Sequence, residues 1–369
     1  MLGNVKRWWI FPSILLAVVV AGVFYVFFQL IILQPPVVEP NFNERKRSER
    51  TPQTQKVAPI SSYPLIRAGK AALYHAPGAG RTLVMLPDSG TGAWMFEKVM
   101  GAMKESFNLY SVSYRGMTGA EVVPPTSGSD FGNVTTKDYL EDATGALVAA
   151  RKDSGQPKVV LVGSGLGALL ALKLANQHPD WLEGLVLIAP FAPRERNEHQ
   201  AWLARTVGDF IYRDAYTKKD AAQAFWNDNF ANGFAQKSEA KKYLGLYAKD
   251  KLPFEFKSVI QDVFFNKLAY LEDDFTKLEN SKLPLLHVAA RYDVTNPIGA
   301  QRLLRTRLER SMSGRYSYAV FNSGKYVTLD WHWQDAVGVL ASFLPTLKLE
   351  QPFIQNEEAL DPLVDPPDK

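Results

Sequence analysis

The chain has 369 residues, of which 46% are hydrophobic and 12% aromatic, enough for one large domain with a substantial core and appended segments. Its formal charge is +4, from 42 basic and 38 acidic residues, and no dense basic block is interleaved with aromatic residues, so nucleic-acid binding is not indicated. The chain contains no cysteine, which excludes disulfides, thiolate metal sites and cysteine nucleophiles. A cysteine-free chain also suits an oxidising compartment such as a bacterial periplasm.

The N-terminal part of the chain predicts a membrane anchor. After a short flank, residues 1–7, the stretch 8–33 is almost wholly apolar and longer than the about 20 residues that a helix needs to cross a bilayer. A cleaved signal peptide is the alternative, but the run exceeds a typical signal core and no small-residue cleavage site follows it. Basic residues lie on both sides of the run, so charge does not fix its orientation. We expect a cytoplasmic flank and a periplasmic or otherwise extracytoplasmic globular domain.

Residues 34–62 are rich in Pro, Gln and charge and predict a flexible linker. Two short strands follow, over 63–68 and 71–75. From Thr82 onward, short apolar strands alternate with helices, which predicts an α/β fold with a doubly wound, mostly parallel sheet. The predicted strands are 82–86, 109–114, 158–162, 185–188, 285–289 and 316–321. The predicted helices are 94–104, 136–153, 166–177, 297–308 and 331–343, with Thr135 and Asp138 as a capping pair for the second.

This alternation stops within residues 191–280, which contain no convincing strand and many aromatic residues in helical runs. They predict a helical lid insertion, so that the core consists of 63–190 and 281–345. We expect most of these aromatic side chains to form the core of the insertion. The alternative is that some of them line a pocket or face a partner. Residues 346–369 form an acidic, Pro-rich tail that is unfolded or docks onto another molecule.

A strand, a glycine-rich turn and a helix coincide at residues 159–172. The turn reads Gly163, Ser164, Gly165, Leu166 and Gly167. The motif G-x-S-x-G at such a turn is the nucleophile elbow of serine hydrolases, and here both outer glycines are in place while the nucleophile position is glycine. Together with the order and spacing of elements from Thr82 to Leu344, this turn resembles the α/β-hydrolase superfamily.

Two further segments carry the resemblance. The strand ending at Asp293 is similar to the one that supplies the triad acid, and the loop 322–326 lies where the family has its histidine, with Lys325 in that position. The resemblance therefore implies a degenerate triad of Gly165, Asp293 and Lys325. Because ester or amide hydrolysis needs a hydroxyl nucleophile, a histidine base and an orienting carboxylate, we expect no catalytic residue. We expect Asp293 to survive as the ion-pair partner of Lys325. The N-myc downstream-regulated family is a non-catalytic precedent for this fold.

The resemblance places the oxyanion loop at Asp88 and Ser89, with Leu166 as the residue after the elbow. A carboxylate at Asp88 would oppose a developing oxyanion. Fallback catalytic candidates are Ser164 or Ser89 as nucleophile and His332 as base. Ser164 fits poorly, because shifting the motif by one residue would require two more glycines where valine and leucine stand. For the remaining histidines, the core strand position of His287 predicts a buried, hydrogen-bonded role.

The glycines of the turn also fit a dinucleotide-binding pattern, with Gly163, Gly165 and Ala168 as G-x-G-x-x-A. That pattern normally lies in the first strand–helix unit and is followed by an acidic residue at the end of the next strand. Here the unit comes third and the next strand ends in an apolar segment. The sequence therefore predicts neither a cofactor nor a metal site.

Taken together, these patterns predict a non-catalytic, membrane-anchored protein with an α/β-hydrolase-like fold. It would serve as a binding or scaffold subunit with a protein partner in a membrane-associated complex. One alternative is a membrane-anchored serine hydrolase that acts on a lipid or ester through a non-standard site. A second alternative is a carrier or sensor for a small apolar ligand under the lid.

Overall fold

The computed structural model describes residues 57–88, 90–127, 132–191, 230–235, 237–251, 270–293, 298–330 and 333–347, with the short pieces 22, 218, 220, 227, 254–255 and 295–296. The predicted span 8–33 lies outside these residues except for Gly22, as do the linker up to residue 56 and the tail beyond Leu347. Within the described part of the chain, no helix combines the length and the apolar character needed to cross a membrane. The anchor therefore stays a prediction.

The core of the molecule is an eight-stranded sheet. In chain order the described strands are β1 (Leu65–Ala68), β2 (Ala71–Ala76), β3 (Thr82–Leu86), β4 (Asn108–Ser113), β5 (Gly132–Asn133), β6 (Val159–Ser164), β7 (Leu182–Ile188), β8 (Phe254–Glu255), β9 (Leu285–Ala290) and β10 (Tyr316–Phe321). β5 and β8 pair separately, and the spatial order of the other eight is β1-β2-β4-β3-β6-β7-β9-β10. β2 is antiparallel to both of its neighbours, whereas all other pairs in this sheet are parallel. The predicted mostly parallel α/β sheet is confirmed.

Helices cover both faces of this sheet. They are α1 (Glu97–Met103), α2 (Thr136–Ser154), α3 (Leu166–Gln177), α4 (Lys237–Lys251), α5 (Tyr270–Asn280), α6 (Ile298–Ser311) and α7 (Trp333–Thr346). Side chains of α2, α3, α5 and α6 form one buried cluster with one face of the sheet, and side chains of α1, α4 and α7 form another with the opposite face. Within β3, for example, Leu83 and Met85 join the second cluster while Val84 and Leu86 join the first. Burial on both faces explains why the strands read as unbroken apolar runs.

The structure corrects three local predictions. Residues 191–280 were predicted to lack strands, but β8 forms there by pairing with β5, a two-residue contact between distant segments that leaves no local pattern. The predicted helix 94–104 begins as a 3-10 turn, Ala93–Phe96, before α1. The predicted linker ends earlier than residue 62, because Ile60 is buried and its N–H donates to Glu97 Oε2 at 3.4 Å.

The predicted cap of α2 is confirmed as a capping box. Thr135 Oγ1 accepts a hydrogen bond from the Asp138 N–H at 3.2 Å, and Asp138 Oδ2 accepts one from the Thr135 N–H at 2.9 Å. This reciprocal pair satisfies two backbone donors that the first turn of a helix cannot satisfy itself. Gly155 follows the last residue of the helix and caps it, with a φ of 66°, a left-handed conformation that glycine adopts without strain.

Candidate active site

Four chain segments meet at the carboxyl edge of the sheet. Asp88 follows β3, Gly165 follows β6, Asp293 follows β9, and Lys325 follows β10. β4 lies on one side of β3 and β6 lies on the other side. The connection after β3 therefore leads towards one edge of the sheet and the connection after β6 leads towards the opposite edge, which leaves a gap between the two loops. Such a switch point is where open α/β sheets place their ligand and catalytic sites. The structure therefore brings the sequence-predicted site residues into one region.

The turn after β6 keeps the geometry of a nucleophile elbow. Gly165 has φ 53° and ψ −114°, a conformation that side-chain-bearing residues adopt only with strain. Its N–H donates to the carbonyl of Ile188 at 3.0 Å, which ties the turn to the end of β7. A Cβ atom placed on Gly165 would clash with the Asp88 carboxylate, at both Oδ1 and Cγ. The elbow thus retains its backbone, and the space for a nucleophile side chain is filled by another residue.

Asp88 occupies the space in front of the elbow. Its side chain is 3% exposed, its Oδ1 accepts a hydrogen bond from the Leu166 N–H at 2.8 Å, and its Oδ2 lies 2.8 Å from Lys325 Nζ. Leu166 begins α3, and the N-terminus of a helix favours a negative charge. In this fold the N–H after the nucleophile is an oxyanion donor. Here that donor is already bound to a carboxylate.

Lys325 stands opposite Asp88 with an 18% exposed side chain. Burial disfavours its charged form, but the attraction of the Asp88 carboxylate, their hydrogen bond and the charge of Asp293 outweigh burial, so the pKa of Lys325 is raised. The predicted ion pair between Lys325 and Asp293 is wrong: among the described residues, the carboxylate within salt-bridge distance of Lys325 is that of Asp88. The negative charge of Asp293 raises the pKa of Lys325 by electrostatic attraction over a longer distance.

The reason for this difference lies in the loop of Asp293 itself. Asp293 Oδ1 accepts hydrogen bonds from the backbone N–H groups of Thr295 at 2.7 Å and Asn296 at 3.0 Å, and Oδ2 accepts one from Asn296 Nδ2 at 3.3 Å. Burial raises the pKa of Asp293, and the charge of Lys325 and these hydrogen bonds oppose that rise only in part. The carboxylate therefore organises its own turn and does not pair with Lys325.

A chain of aromatic rings extends from Lys325. The Tyr326 ring lies 4.8 Å from Lys325 Nζ and 4.9 Å from the ring of Phe230, which stacks on Tyr247 at 4.1 Å. All three aromatic residues are buried, as is Tyr243. Phe230, Tyr243 and Tyr247 are buried as predicted, but they belong to the core cluster on one face of the main sheet and not to a separate core of the insertion. Most of the other aromatic residues of 191–280 lie outside the residues whose side chains the structure describes.

A third buried carboxylate of the site, which the sequence reasoning missed, joins residue Ala235 to the Lys325 loop. Asp330 Oδ2 accepts hydrogen bonds from the backbone N–H of Ala235 at 2.8 Å and of Gly324 at 2.9 Å, and from Ser323 Oγ at 3.1 Å. These donors come from segments far apart in the chain. The sequence offers no signal for this contact beyond an aspartate near a glycine-rich loop.

The fallback catalytic residues do not assemble into a site within the described residues. Ser164 is the last residue of β6 and is 1% exposed. Ser89 and His332 lie outside the described residues. His287 is fully buried, with Nδ1 2.8 Å from the Tyr316 hydroxyl and Nε2 2.7 Å from Gln301 Oε1, so its predicted role in the core is confirmed. No cluster of metal-ligating side chains is found in the described part of the chain.

Comparison with known proteins agrees with this architecture. RutD of Klebsiella pneumoniae, which is assigned as a carbamate hydrolase, is 25% identical over 243 residues, covering 64% of this chain and 83% of RutD. The esterase of Thermogutta terrifontis superposes with a TM-score of 0.57 at 15% identity, over 77% of this chain and 98% of the esterase. An esterase from Exiguobacterium antarcticum superposes with a TM-score of 0.55 at 17% identity, over 77% of this chain and 99% of that one. Residues 83–337 match the model of the alpha/beta hydrolase family, and the chain belongs to that family.

Proposed function

We propose that this protein is a non-catalytic, membrane-anchored member of its family that acts as a binding or scaffold subunit of a membrane-associated complex. The observation that carries the proposal is the Asp88 carboxylate, which fills the space of the missing nucleophile and takes the hydrogen bond of Leu166 N–H. The loss of the hydroxyl at Gly165 is therefore accompanied by a change that closes the site.

Each step of acyl transfer lacks its chemical group at this site. Gly165 offers no nucleophile, and the raised pKa of Lys325 keeps its amine protonated, so it cannot accept a proton as histidine does. A substrate carbonyl would need the Leu166 N–H that Asp88 already holds. The negative charge of Asp88 would also repel the oxyanion that forms during acyl transfer.

The binding role rests on the segments that surround the core. The apolar stretch 8–33 would anchor the protein, and the polar segment after it would let the domain stand away from the bilayer. The insertion 191–280 would act as a lid that closes the former active site, and the acidic tail 346–369 would offer a charged attachment surface. In this proposal the domain faces an extracytoplasmic space, and a second protein binds it there.

Labelling with a fluorophosphonate probe tests the loss of catalysis. We expect no labelling of the unmodified protein above that of a heat-denatured sample, while an active serine hydrolase added to the same tube reacts. The matched variant combines Gly165→Ser, Lys325→His and Asp88→Gly, which restores the nucleophile and base types and removes the plug. Labelling of the triple variant alone would support the proposal. Stoichiometric, heat-sensitive labelling of the unmodified protein would overturn it.

A second candidate is a membrane-anchored serine hydrolase with a non-standard site. It is favoured by its relative RutD, which is assigned as a carbamate hydrolase. Its nucleophile would be Ser164 or Ser89, and His332 would be the base. If the unmodified protein were labelled, Ser164→Ala and Ser89→Ala would identify the residue, because only the variant that lacks the nucleophile would lose labelling.

The membrane and partner parts of the proposal have their own test. We expect the full-length protein to sediment with membranes and to resist extraction by carbonate, and a variant lacking residues 1–33 to remain in the supernatant. Recovery of the same protein partner with the full-length chain and with the triple variant would support a scaffold role. A full-length chain that washes off membranes would refute the anchor without bearing on the loss of catalysis.

A further inference from the structure

The Asp88–Lys325 pair brings together an amine and a carboxyl group, two groups that can react with each other. Asp88 follows β3 and Lys325 follows the last strand of the sheet, yet Lys325 Nζ and Asp88 Oδ2 are 2.8 Å apart. The other oxygen of the carboxylate, Oδ1, is held by the Leu166 N–H at 2.8 Å. An amine thus faces a carboxyl group whose second oxygen is already bound to a backbone donor at the N-terminus of α3.

We propose that Lys325 and Asp88 condense to an intramolecular isopeptide bond. The ion pair is the predominant form because the pKa of Lys325 is raised, and the reaction starts from the small fraction of pairs in which Nζ has given a proton to Oδ2 of Asp88. The neutral Nζ then attacks Asp88 Cγ, and the negative charge that develops on Oδ1 is stabilised by the Leu166 N–H, as an oxyanion would be. The nitrogen passes a second proton to Oδ2, the Cγ–Oδ2 bond breaks, and Oδ2 leaves as water. Atoms balance with one water released, and no oxidant or other reactant is needed.

Asp293 acts on the reacting pair through its charge. It is 3% exposed and its charge acts on Lys325, while three hydrogen bonds from its own turn fix its orientation. A fixed negative charge near Lys325 stabilises the positive charge that the attacking nitrogen carries in the tetrahedral intermediate. Asp293 would therefore be a positioning residue that assists the condensation electrostatically, a use for the triad acid that does not need the other two triad members.

The surroundings favour the amide over the separated ions. Tyr326 and Tyr247 are buried beside the pair, and Asp88 itself is 2% exposed. Two buried charges lose their hydration, and their mutual attraction must offset that cost. A neutral amide in the same place does not carry the cost of burying charge. The product would join the loop after β3 to the loop after β10 in a chain that has no cysteine with which to form a disulfide. Cross-linking distant segments limits the freedom of the unfolded chain.

Mass spectrometry of the unfolded, full-length protein tests this proposal directly. We expect the intact mass to be lower than the sequence mass by one water molecule, and a digest to contain the peptide of Asp88 joined to the peptide of Lys325. The matched control is Lys325→Arg, which keeps the positive charge but lacks an amine that forms this amide, and which should show the full sequence mass. A loss of water that persists in Lys325→Arg would come from cyclisation at Asp88 alone and would overturn the proposal, as would the full mass in the unmodified protein.

Asp293→Asn separates the electrostatic role of Asp293 from folding. This variant keeps the size of the side chain and should leave the secondary structure unchanged, yet the freshly purified protein should carry less of the joined peptide and gain it more slowly. Unchanged joining in Asp293→Asn would remove Asp293 from the mechanism. The mass experiment is independent of the probe experiment above, because a protein without fluorophosphonate reactivity can retain or lack the cross-link.

Discussion

At the scale of single residues, the turn after β6 has the backbone of a nucleophile elbow and no side chain at its centre. Gly165 retains the positive φ that the elbow requires, and the Asp88 carboxylate uses the space that the absent side chain leaves. The buried carboxylate is tolerated because the Leu166 N–H donates a hydrogen bond to one of its oxygens and the Lys325 ammonium group pairs with the other. Glycine at 165 and aspartate at 88 are therefore physically coupled.

This coupling predicts that Gly165→Ser alone is harmful. The new Cβ would meet the Asp88 carboxylate in a strained backbone conformation, so we expect a loss of about 1–3 kcal/mol in the free energy of unfolding. Urea denaturation measures it. In the Asp88→Gly background the further loss caused by Gly165→Ser should be much smaller than in the unmodified protein, because the obstructing carboxylate is gone. If the two substitutions were additive, the contact between these positions would be refuted.

Lys325 is predicted to be essential for the stability of the site. Lys325→Met would leave the Asp88 carboxylate buried without its cation, and breaking a buried pair from one side costs about 3–5 kcal/mol. The double variant Lys325→Met with Asp88→Asn removes both charges and should be clearly more stable than Lys325→Met. Thermal unfolding of both variants at neutral pH is the measurement, and equal stabilities would contradict the prediction.

At the scale of elements, helix α2 is fixed at its start and along one side. Its capping box holds the first turn, and Arg115, from the loop after β4, donates to Asp142 and Asp138 on the helix. Asp142 also accepts a hydrogen bond from the backbone N–H of Arg115 at 2.8 Å. The loop after β4 thus ties this strand to α2 through a buried guanidinium.

The cap of α2 allows a simple test. Thr135→Ala removes the side-chain oxygen that accepts from the Asp138 N–H, and we expect a loss of about 1 kcal/mol in the free energy of unfolding. Thr135→Ser keeps that oxygen and should retain most of the stability. Chemical denaturation of the three proteins in parallel measures the difference. Equal losses for alanine and serine would show that the methyl group of Thr135 matters instead of its hydroxyl.

At the scale of the whole molecule, His287 makes folding sensitive to acid. Burial lowers its pKa from 6.5 to about 4, the hydrogen bond to Gln301 opposes this in part, and the charge of Arg305 adds to it. Because the folded pKa lies below the unfolded one, the unfolded chain binds a proton that the folded chain resists. The stabilisation is complete above pH 6.5 and is lost as pH falls from 6.5 to about 4.

We therefore expect the free energy of unfolding to fall by about 3 kcal/mol across this range because of His287. Denaturation curves collected from pH 7.5 to pH 4 measure the loss. His287→Gln cannot titrate, so the difference between the two pH profiles isolates the histidine from carboxylates that titrate in the same range. Parallel profiles would mean that His287 is not the group responsible.

Prediction from sequence succeeded where the pattern is local. The strands β3 and β10 have the predicted bounds, and helix α3 begins and ends at its predicted residues, because runs of apolar residues and a glycine turn specify them without distant partners. Prediction failed for β8, for the buried Ile60 and for the partner of Lys325. Each of these depends on a contact between segments that are far apart in the chain.

The sequence by itself determined the α/β architecture through its periodicity, and it put glycine at 165 and lysine at 325, the positions that the family resemblance assigns to the nucleophile and the histidine. Only the tertiary structure decided that the Asp88 carboxylate fills the site and pairs with Lys325, while Asp293 turns to its own loop. A salt bridge depends on distances of a few ångström between side chains on different loops. Those distances follow from how β3, β9 and β10 are placed in the sheet, which residue spacing does not encode.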